Sequence, residues 1–236
     1  MKKYIYTAIC LMAITACKND AEKISAEDIK AESAKANAYF EKTFQEEVDE
    51  SPMLQTQLGI KKDYGSWDDM SSQAEAEDLE QAKQRLNYLK DSINVKALDE
   101  ATTLSYKLAM QSLEDEIEDY SYRLYNYPIN QMHGAHAEIP AFLINMHRVD
   151  NVEDAQAYIS RLKGLKQVFL EIAEGLGTRE TNGIIPPKFV FDKVIDDTRN
   201  LLKGRPFEKS NELSTLMNDF KSKVDALEID QEEKKK

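Results

Sequence analysis

The chain has 236 residues, a length that fits one domain or a closely packed pair and is ample for a buried core. Its 42% hydrophobic and 31% charged residues are typical of a folded globular protein, which excludes wholesale disorder and a small disulfide-stapled scaffold. The 43 acidic side chains outnumber the 31 basic ones, and the resulting net charge of −12 would repel a phosphate backbone, so we expect no nucleic-acid partner.

The first 16 residues resemble a bacterial export signal that ends at a lipidation site. Two lysines form its positive start, residues 4–16 are predominantly apolar, and residues 14–17 (Ile-Thr-Ala-Cys) have the pattern of a lipobox. An apolar run of this length is too short to span a bilayer core, which needs about 20 residues. The sequence therefore predicts a lipoprotein signal peptide over residues 1–16, with diacylglycerol attached to the thiol of Cys17. The alternative is an ordinary secretory signal with a chance cysteine.

Loss of the signal would leave the protein without a free thiol. Cys10 lies in the signal and Cys17 would carry the lipid, so no cysteine remains for a disulfide, a nucleophile or a metal site. We expect residues 17–25 to form a short polar tether between the lipid membrane and an acidic domain. The residue after Cys17 is Lys18 and not an aspartate, which is compatible with the outer membrane of a Gram-negative cell. The predicted location is the cell envelope.

Apolar residues in the rest of the chain recur at helical spacing, and no convincing alternation indicates a β-sheet. The predicted segments are, in chain order, a helix from Ser25 to the Ser51-Pro52 stop, a short helix with a loop over 53–67, and helices over 68–91, 97–124, 151–174, Pro186-Pro187 to Gly204, and 210–229. We therefore expect an all-α fold, a multi-helix array, with one helical domain over residues 26–229 and a charged tail over 230–236.

Particular residues mark the ends and the buried faces of these helices. Ser25 with Asp28 predicts a capping box, and Gly175 with Gly177 predicts the end of the 151–174 helix. The residues predicted to face the core in the 97–124 helix are Leu104, Leu108, Leu113, Ile117, Tyr120 and Leu124. Those predicted to do so in the two following long helices are Ile159, Leu162, Leu165, Phe169 and Ile172, and then Val190, Val194, Leu201 and Leu202.

Two features have both a structural and a functional interpretation. Trp67 is the only tryptophan, and we interpret it as a hydrophobic plug at a junction between a helix and a loop. The acidic side chains on one helix could hold a metal ion, but carboxylates at consecutive helical positions point in different directions, so a solvated face is favoured. These side chains are Glu114, Asp115, Glu116, Glu118 and Asp119.

All three histidines of the chain lie within residues 122–149, which makes this segment the natural place to look for a site. His133 and His136 are three residues apart, and Glu138 is close by as a third possible metal ligand. A helix through these positions would place both imidazoles on one face. This arrangement would permit a self-sufficient metal hydrolase.

The alternative is that these histidines lie in loops and bond to backbone carbonyls. Gly134 and Pro140 argue against a regular helix through the segment, so the shared face is not assured. His147 would share a face with His136 only if the helix continued past Pro140. The chain also contains no His-Glu-x-x-His, glycine-rich phosphate loop, Gly-x-Ser-x-Gly elbow or Cys-x-x-Cys pair, and nothing marks one serine as a nucleophile.

Three phrases in this sequence, taken together and in order, resemble a known family. They are Leu58-Gly59-Ile60 within the Pro52–Trp67 segment, Tyr127-Pro128-Ile129-Asn130-Gln131 followed by Gly134, and Gly183-Ile184-Ile185-Pro186-Pro187. The chain resembles the N-terminal part of the bacterial family called domain of unknown function 885. The similarity runs from about residue 26 to about residue 228, which is nearly all of the mature chain.

The resemblance implies a largely helical, zincin-like protein related to the metallopeptidases. Family members run to more than twice this length, and their zinc site is a His-Glu-x-x-His motif in the C-terminal half. Because this chain lacks the motif, we assign it no catalytic residue, no metal ligand and no cofactor of its own. The positions that match the family, expected to be scaffold or cleft lining, are Tyr127, Asn130, Gln131, Gly134, Gly183 and Pro187.

Two hypotheses about function follow. The first is a truncated or split family member, the N-terminal portion of a zincin-like helical fold, which would be inactive alone. The second is a complete helical lipoprotein that acts as a binding or interaction module at the cell envelope. Neither a peptide substrate nor a protein partner can be named from the sequence. A His-Glu-x-x-His motif encoded immediately downstream, in frame or frameshifted, would favour the first hypothesis.

Overall fold

The computed structural model describes residues 24–230, so the predicted signal peptide, Cys17, most of the tether and the last six residues of the tail lie outside the described part. Its helices are α1 (Ala26–Glu50), α2 (Pro52–Gln57), α3 (Ser72–Ser92), α4 (Glu100–Asp119), α5 (Ala135–Asn145), α6 (Val152–Thr181), α7 (Lys188–Leu201) and α8 (Thr215–Asp225), with 3-10 turns at Val95–Ala97 and Tyr120–Tyr125. No strand occurs between residues 24 and 230, and the predicted all-α fold is confirmed. In that range no helix is both long and apolar enough to cross a membrane.

Helices α1, α3 and α4 pack around one hydrophobic cluster, and we call this unit the N-terminal bundle. The buried members of the cluster are Ala36, Leu89, Ile93, Leu98 and Tyr106. The ring of Tyr39 on α1 stacks on that of Tyr88 on α3, with 3.9 Å between centroids. The Tyr106 hydroxyl donates a hydrogen bond to the Leu89 carbonyl, so the one polar group of the cluster is satisfied.

The start and end of α1 agree with the sequence prediction. The Ser25 side chain accepts a hydrogen bond from the Asp28 amide, and the Asp28 carboxylate accepts one from the Ser25 amide, which completes the capping box. Ser51 follows the last residue of α1, and its hydroxyl accepts a hydrogen bond from the Leu54 amide at the start of α2. Pro52 occupies the first turn of α2, where its missing N–H is not needed.

The other half of the molecule consists of α5 to α8, which we call the C-terminal helices. Helix α7 packs against α5, and α8 packs against both α5 and α6. Helix α6 is the longest, with 30 residues. The final helix is shorter than predicted, because α8 spans only Thr215–Asp225.

The predicted end of α6 at Gly175 and Gly177 is wrong, because the helix continues to Thr181. A glycine inside a helix costs only about 1 kcal/mol, which contacts in the last turns offset. Those contacts come from Arg179, whose guanidinium donates hydrogen bonds to the carbonyl of Gly175 and to the side chain of Asn126.

The predicted buried face of α4 is also wrong over its first half. Leu104 and Leu108 are 59% and 62% exposed, and the buried residues are Thr102 and Tyr106. The Thr102 hydroxyl accepts a hydrogen bond from Asn37 of α1, which places this side of α4 against the bundle. A polar contact with α1 therefore sets the orientation of α4 at this end, and two leucines are left outside.

Helix α5 contains Pro140 in its interior, so the expected interruption at this proline does not occur. Proline inside a helix costs about 3 kcal/mol, because it removes a hydrogen bond and crowds the preceding turn. Tertiary burial offsets this cost, since Ile139, Phe142 and Leu143 are each at most 6% exposed. The helix begins immediately after Gly134, the other residue that argued against it.

Candidate functional site

Arg161 on α6 is fully buried and connects separate parts of the chain through hydrogen bonds. Its guanidinium donates to the carbonyl of Ser66 (2.9 Å), to the hydroxyl of Thr56 (2.7 Å) and to Nδ1 of His147 (3.0 Å). Burial lowers the pKa of Arg161 to about 10. The side chain therefore holds the loop after α2 and the loop after α5 against α6.

His147 has a single tautomer in this arrangement. A guanidinium can only donate, so Nδ1 of His147 must accept and Nε2 must carry the hydrogen. Nε2 then donates to the backbone carbonyl of Asp154, 3.0 Å away. Burial lowers the pKa of His147 to about 4, so the imidazole is neutral at physiological pH. Both ring nitrogens are occupied, which leaves neither for a metal ion or for proton transfer.

Asp154 joins the same region to Lys61 in the loop after α2. Its carboxylate accepts hydrogen bonds from Nζ of Lys61 (2.6 Å) and from the amide of Asp150 (2.9 Å). Burial alone would lower the pKa of Lys61, but its hydrogen bonds to Asp154 and Asp150 raise it above the ordinary value. The ring of Tyr64 stacks on that of His147, with 4.2 Å between centroids. We call the group of Lys61, Tyr64, His147, Asp154 and Arg161 the polar joint.

Trp67 packs beside the polar joint. Its contacts support the interpretation of this side chain as a hydrophobic plug. Its indole N–H donates to the carbonyl of Arg161 at 2.8 Å, and its ring lies 5.6 Å from that of Phe142. A Cβ at Gly164 would lie 3.1 Å from the indole, so α6 comes close to Trp67 at a glycine. Neither Trp67 nor the residues of the polar joint line the cavities described below, which indicates a structural role.

Sequence reasoning missed the polar joint because it looked for apolar residues on α6. The buried positions of this helix include Asp154, Tyr158 and Arg161, which follow the spacing of a core-facing stripe although two are charged. That spacing is the one signal that could have identified them. The leucines and aromatics expected there are only partly buried, and several of them line a cavity instead.

A cavity of about 630 Å³ lies among the C-terminal helices, and we call it the apolar cavity. The apolar side chains of its walls include Leu162, Leu165 and Phe169 of α6, Val194 and Leu201 of α7, and Leu216, Met217 and Phe220 of α8. No charged side chain of the described residues lines it, and the polar ones are His136, Thr198 and Ser214. Phe207 and Met217 in its walls are about half exposed, so the cavity opens to solvent. Its volume is typical of small-molecule sites, which occupy about 300–1,000 Å³.

His136 lies in the wall of the apolar cavity. It is 6% exposed, and its Nδ1 is buried without a hydrogen-bond partner among the described residues. A buried polar atom without a partner costs about 1–3 kcal/mol, and such atoms are rare in native structures. His136 is therefore the side chain of this region whose bonding is incomplete.

A second cavity, of about 470 Å³, continues along α7 beside the end of α6, and we call it the side groove. Ile129 and Val194 line both the apolar cavity and the side groove, so the two adjoin. Tyr127, one of the positions that match the family, also lines the side groove. Arg179 and Glu180 of α6 are the charged residues of the side groove, and its remaining walls carry the apolar surface along much of α7.

The other matching positions lie in turns rather than in a cavity wall. The Asn130 side chain accepts hydrogen bonds from the amides of Met132 and His133, which forms a turn before α5. Gly134 closes it with a φ of 138°, and a Cβ there would lie 2.6 Å from the Pro128 carbonyl oxygen, so only glycine fits. Gln131 is exposed in the same turn.

Gly183 and Pro187 stand at the connection between α6 and α7. Gly183 has a positive φ of 74° and follows the end of α6, and Pro187 occupies the N-cap position of α7. Both residues fit the backbone conformation that their positions require. Neither lines the apolar cavity or the side groove.

The structure does not bring His133, His136 and Glu138 together as a ligand set. His133 is exposed, His136 lines the apolar cavity, and Glu138 lines a different cavity with Glu75 and Glu171. Within the described residues, no group of three or more histidine, cysteine, aspartate or glutamate side chains could hold a metal ion. The acidic face of α4 likewise gathers no ligand set in that range.

An acidic groove of about 850 Å³ lies between the end of α1, the loop before α3, and helices α3 and α4. Its carboxylates include Asp78 and Glu116, whose pKa values are raised by burial and by neighbouring acidic groups. Arg85, the one basic residue in its lining, forms an ion pair with Glu47 at 2.6 Å. This groove and the apolar cavity therefore differ completely in charge.

Comparison with protein-family models finds a match. A family model described as "Bacterial protein of unknown function (DUF885)" matches residues 52–236, which is most of the chain. No curated protein and no solved structure matches. The function must therefore be argued from the geometry of this chain.

Proposed function

This chain belongs to the bacterial DUF885 family, and we propose that it is a lipid-anchored binding module of the cell envelope whose site is the apolar cavity. The observation that carries the proposal is the composition of the cavity walls. In a chain with a net charge of −12, a cavity of about 630 Å³ is lined without a single charged side chain of the described range. Such walls favour an apolar ligand, because each Å² of apolar surface removed from water contributes about 25 cal/mol.

The anchor is proposed from the sequence pattern around Cys17. Acyl chains on its thiol would hold the protein at the membrane, since each buried methylene contributes about 0.8 kcal/mol. Mass spectrometry of the membrane fraction should detect an acylated N-terminal Cys17, and Cys17→Ser should block maturation. An unlipidated protein that begins at another residue would contradict the anchor but not the cavity.

A second candidate function is the N-terminal helical part of a metallopeptidase-like protein that binds zinc elsewhere. Exposed aromatic side chains in the first turn of α7 favour it, because Phe189 and Phe191 are 59% and 46% exposed and another polypeptide could cover them. In that case this chain alone should neither bind zinc tightly nor hydrolyse peptides. Metal analysis and peptidase assays of the purified chain, with His133→Ala and His136→Ala as variants, test this expectation.

Photolabelling tests the cavity directly. The full chain is incorporated into phosphatidylcholine vesicles with a medium-chain alkane that carries a diazirine, and the labelled residues are mapped by mass spectrometry after irradiation. We expect label on the cavity walls of α6, α7 and α8. Val194→Trp fills the cavity and should abolish that label, whereas Leu108→Trp on the exposed face of α4 should leave it unchanged.

The proposed binding function is wrong if the cavity walls are labelled no more than the rest of the protein surface. It is equally wrong if Val194→Trp, with unchanged helix content by circular dichroism, is labelled like the wild type. Labelling in both the wild type and the Leu108→Trp variant, together with loss in Val194→Trp, would support it.

A further inference from the structure

We propose that helix α8 is a movable strap over the apolar cavity, held closed by the contacts of Tyr158, Asp219 and Lys223, which we call the latch. Release of the latch lifts α8 and admits an apolar ligand. This inference rests on the proposed binding function, because it concerns the same cavity, and it adds the element that controls access to that site.

Helix α8 forms one wall of the apolar cavity without being packed into the core. Leu216, Met217 and Phe220 line the cavity, but no residue of α8 is buried. Helix α5, which contributes His136 and Pro140 to the same walls, has five buried residues. Apolar packing therefore holds α8 less firmly than α5. Elements with few buried apolar contacts are those that open locally before the rest of a protein unfolds.

Lys223 supplies an attachment that packing does not. Its Nζ donates hydrogen bonds to the carbonyls of Leu143 (2.8 Å) and Ile144 (2.9 Å) in the last turn of α5. Carbonyls at the end of a helix have no amide partner within that helix, so one lysine satisfies two such groups. These hydrogen bonds connect α8 to α5.

Asp219 extends the latch to α6. Its carboxylate accepts a hydrogen bond from the hydroxyl of Tyr158 (3.0 Å) and forms an ion pair with Nζ of Lys223 (2.8 Å). Burial raises the pKa of Tyr158, so the hydroxyl keeps its proton and is the donor. The Tyr158 ring also lies 5.0 Å from that of Phe220, the cavity residue next to Asp219. The latch thus joins α5, α6 and α8, which are three walls of the cavity.

The opening of the cavity lies beside α8. Met217 of α8, Phe207 of the loop before it and Leu202 at the end of α7 line the cavity and are each about half exposed. Leu162 and Leu165, which line it from α6, are less exposed. A shift of α8 away from α6 therefore widens the existing opening.

The two ends of α8 are held more firmly than its middle. Ser214 immediately before the helix and Leu227 shortly after it are both buried. The loop before α8 is also closed on itself, because the Arg205 amide donates to the Glu212 carbonyl and the Ser214 amide donates to the Arg205 carbonyl. A helix fixed at both ends can lift or roll without leaving the protein. The latch, which lies between these ends, is the contact that opposes such a movement.

Hydrogen exchange tests whether α8 opens by itself. The full chain is incorporated into phosphatidylcholine vesicles, and exchange is measured by mass spectrometry. We expect the amides of α8 to exchange at least about tenfold faster than those of α5, and Lys223→Met to accelerate exchange in α8 by about a further tenfold. Lys221→Met is the matched control, because Lys221 is exposed and pairs with Asp225 on the same helix. It should change the exchange rates by less than about twofold.

Photolabelling tests whether this movement controls access to the cavity. The diazirine-carrying alkane is added to the preformed vesicles, and samples are irradiated after increasing intervals. Lys223→Met should load the cavity walls about tenfold sooner than the wild type, and Lys221→Met should load them like the wild type. Tyr158→Phe removes only the hydroxyl that donates to Asp219 and should have a smaller effect in the same direction. It serves as the second variant if Lys223→Met does not fold.

The outcomes separate the strap from the proposed binding function. Cavity walls that are labelled in no variant would overturn the binding function, while hydrogen exchange still reports on α8. Exchange in α8 that is no faster than in α5, or that is unchanged when the latch is removed, would overturn the strap. Faster exchange with unchanged loading would show that α8 does not control access, which overturns the inference as well. Faster exchange and earlier loading, with neither in Lys221→Met, would support it.

Discussion

The N-terminal bundle and the C-terminal helices bury their residues in opposite ways. In the bundle, apolar side chains such as Leu89 and Ile93 form one hydrophobic cluster between three helices. Along α6, the most deeply buried side chains include Arg161, and leucines such as Leu162 line a cavity. Apolar packing is non-directional and fills space, whereas hydrogen bonds need particular partners and leave the surrounding apolar walls free.

This difference gives the two regions different structural roles. The bundle supplies a compact support, and the polar joint fixes the position of α6 relative to the loops after α2 and α5. Helices α7 and α8 can then be held around α6 without filling the space between them. Hydrogen bonds also hold α8, since the Tyr158 hydroxyl of α6 donates to Asp219 and Nζ of Lys223 donates to the carbonyl of Leu143.

The largest effect should come from Arg161→Ala, which removes the centre of the polar joint. The change leaves the Thr56 hydroxyl, the Ser66 carbonyl and His147 without their donor and creates a void, so we expect a loss of about 3–5 kcal/mol in the free energy of unfolding. Urea unfolding followed by the fluorescence of Trp67, which contacts Arg161, measures this loss.

Arg199→Ala is the matched control for this prediction. The Arg199 side chain is 74% exposed on α7, and its nearest carboxylate, on Asp196, is 4.0 Å away. We expect a change of less than about 0.5 kcal/mol. Equal effects of the two substitutions would show that the polar joint does not hold the C-terminal helices together.

The second prediction concerns the loss of folding stability at acidic pH. Above about pH 7.5, the His147 imidazole is neutral in the folded chain and almost entirely neutral in the unfolded chain, so its titration does not affect stability. As the pH falls from 6.5 to about 4, the unfolded chain binds a proton that the folded chain does not, and stability falls by about 3 kcal/mol. Below pH 4 this contribution to the loss is complete, because both states are protonated.

Unfolding titrations between about pH 7.5 and pH 4 test this prediction in three proteins. His147→Gln should lower stability at neutral pH but flatten the pH dependence relative to the wild type. His133→Gln, at an exposed histidine, should keep the pH dependence of the wild type. A wild-type slope in the His147→Gln variant would assign the acid sensitivity to other groups.

The local features of this fold could be predicted from the sequence, whereas the polar joint could not. Ser25 with Asp28 and Ser51 with Pro52 act within a few residues, so the sequence shows both partners. Arg161 bonds to Thr56 and Ser66, about a hundred residues away, and no local pattern indicates such a contact. Its position in a core-facing stripe was visible, but a charged residue there is usually assigned to the surface.

The candidate site shows the same limit. The three histidines mark an unusual segment of the sequence, but the possible ligand set of His133, His136 and Glu138 does not form, because His136 and Glu138 line different cavities. Leu162 and Leu165 were predicted to be core residues, and only the arrangement of four helices shows that they line a cavity. A hydrophobic stripe on one helix carries no information about how closely the next helix approaches.

The third prediction compares the same truncation in the two regions. Leu89→Ala in the hydrophobic cluster should cost about 2–5 kcal/mol, because it leaves a cavity in a packed core. Leu162→Ala in the wall of the apolar cavity should cost about 1 kcal/mol, because it enlarges a space that already exists. Chemical denaturation measures both, and a smaller loss at Leu89 would mean that the bundle is not the better-packed region.

The smallest effect should come from adding one methylene, and the change in stability should differ in sign between the two regions. Val194→Ile adds one methylene to the apolar cavity, where there is room for it, and should stabilise the protein by about 0.5–1 kcal/mol. Val48→Ile adds the same group to α1 at a position that is 2% exposed, and overpacking there should destabilise by about 1 kcal/mol. Unfolding curves of the two variants and the wild type, measured side by side, give both changes in the free energy of unfolding. Because the two substitutions are chemically identical, opposite signs can only come from the space around the side chain. Destabilisation by both would mean that the cavity is filled in solution, and stabilisation by both would mean that the core around Val48 has room for a methylene.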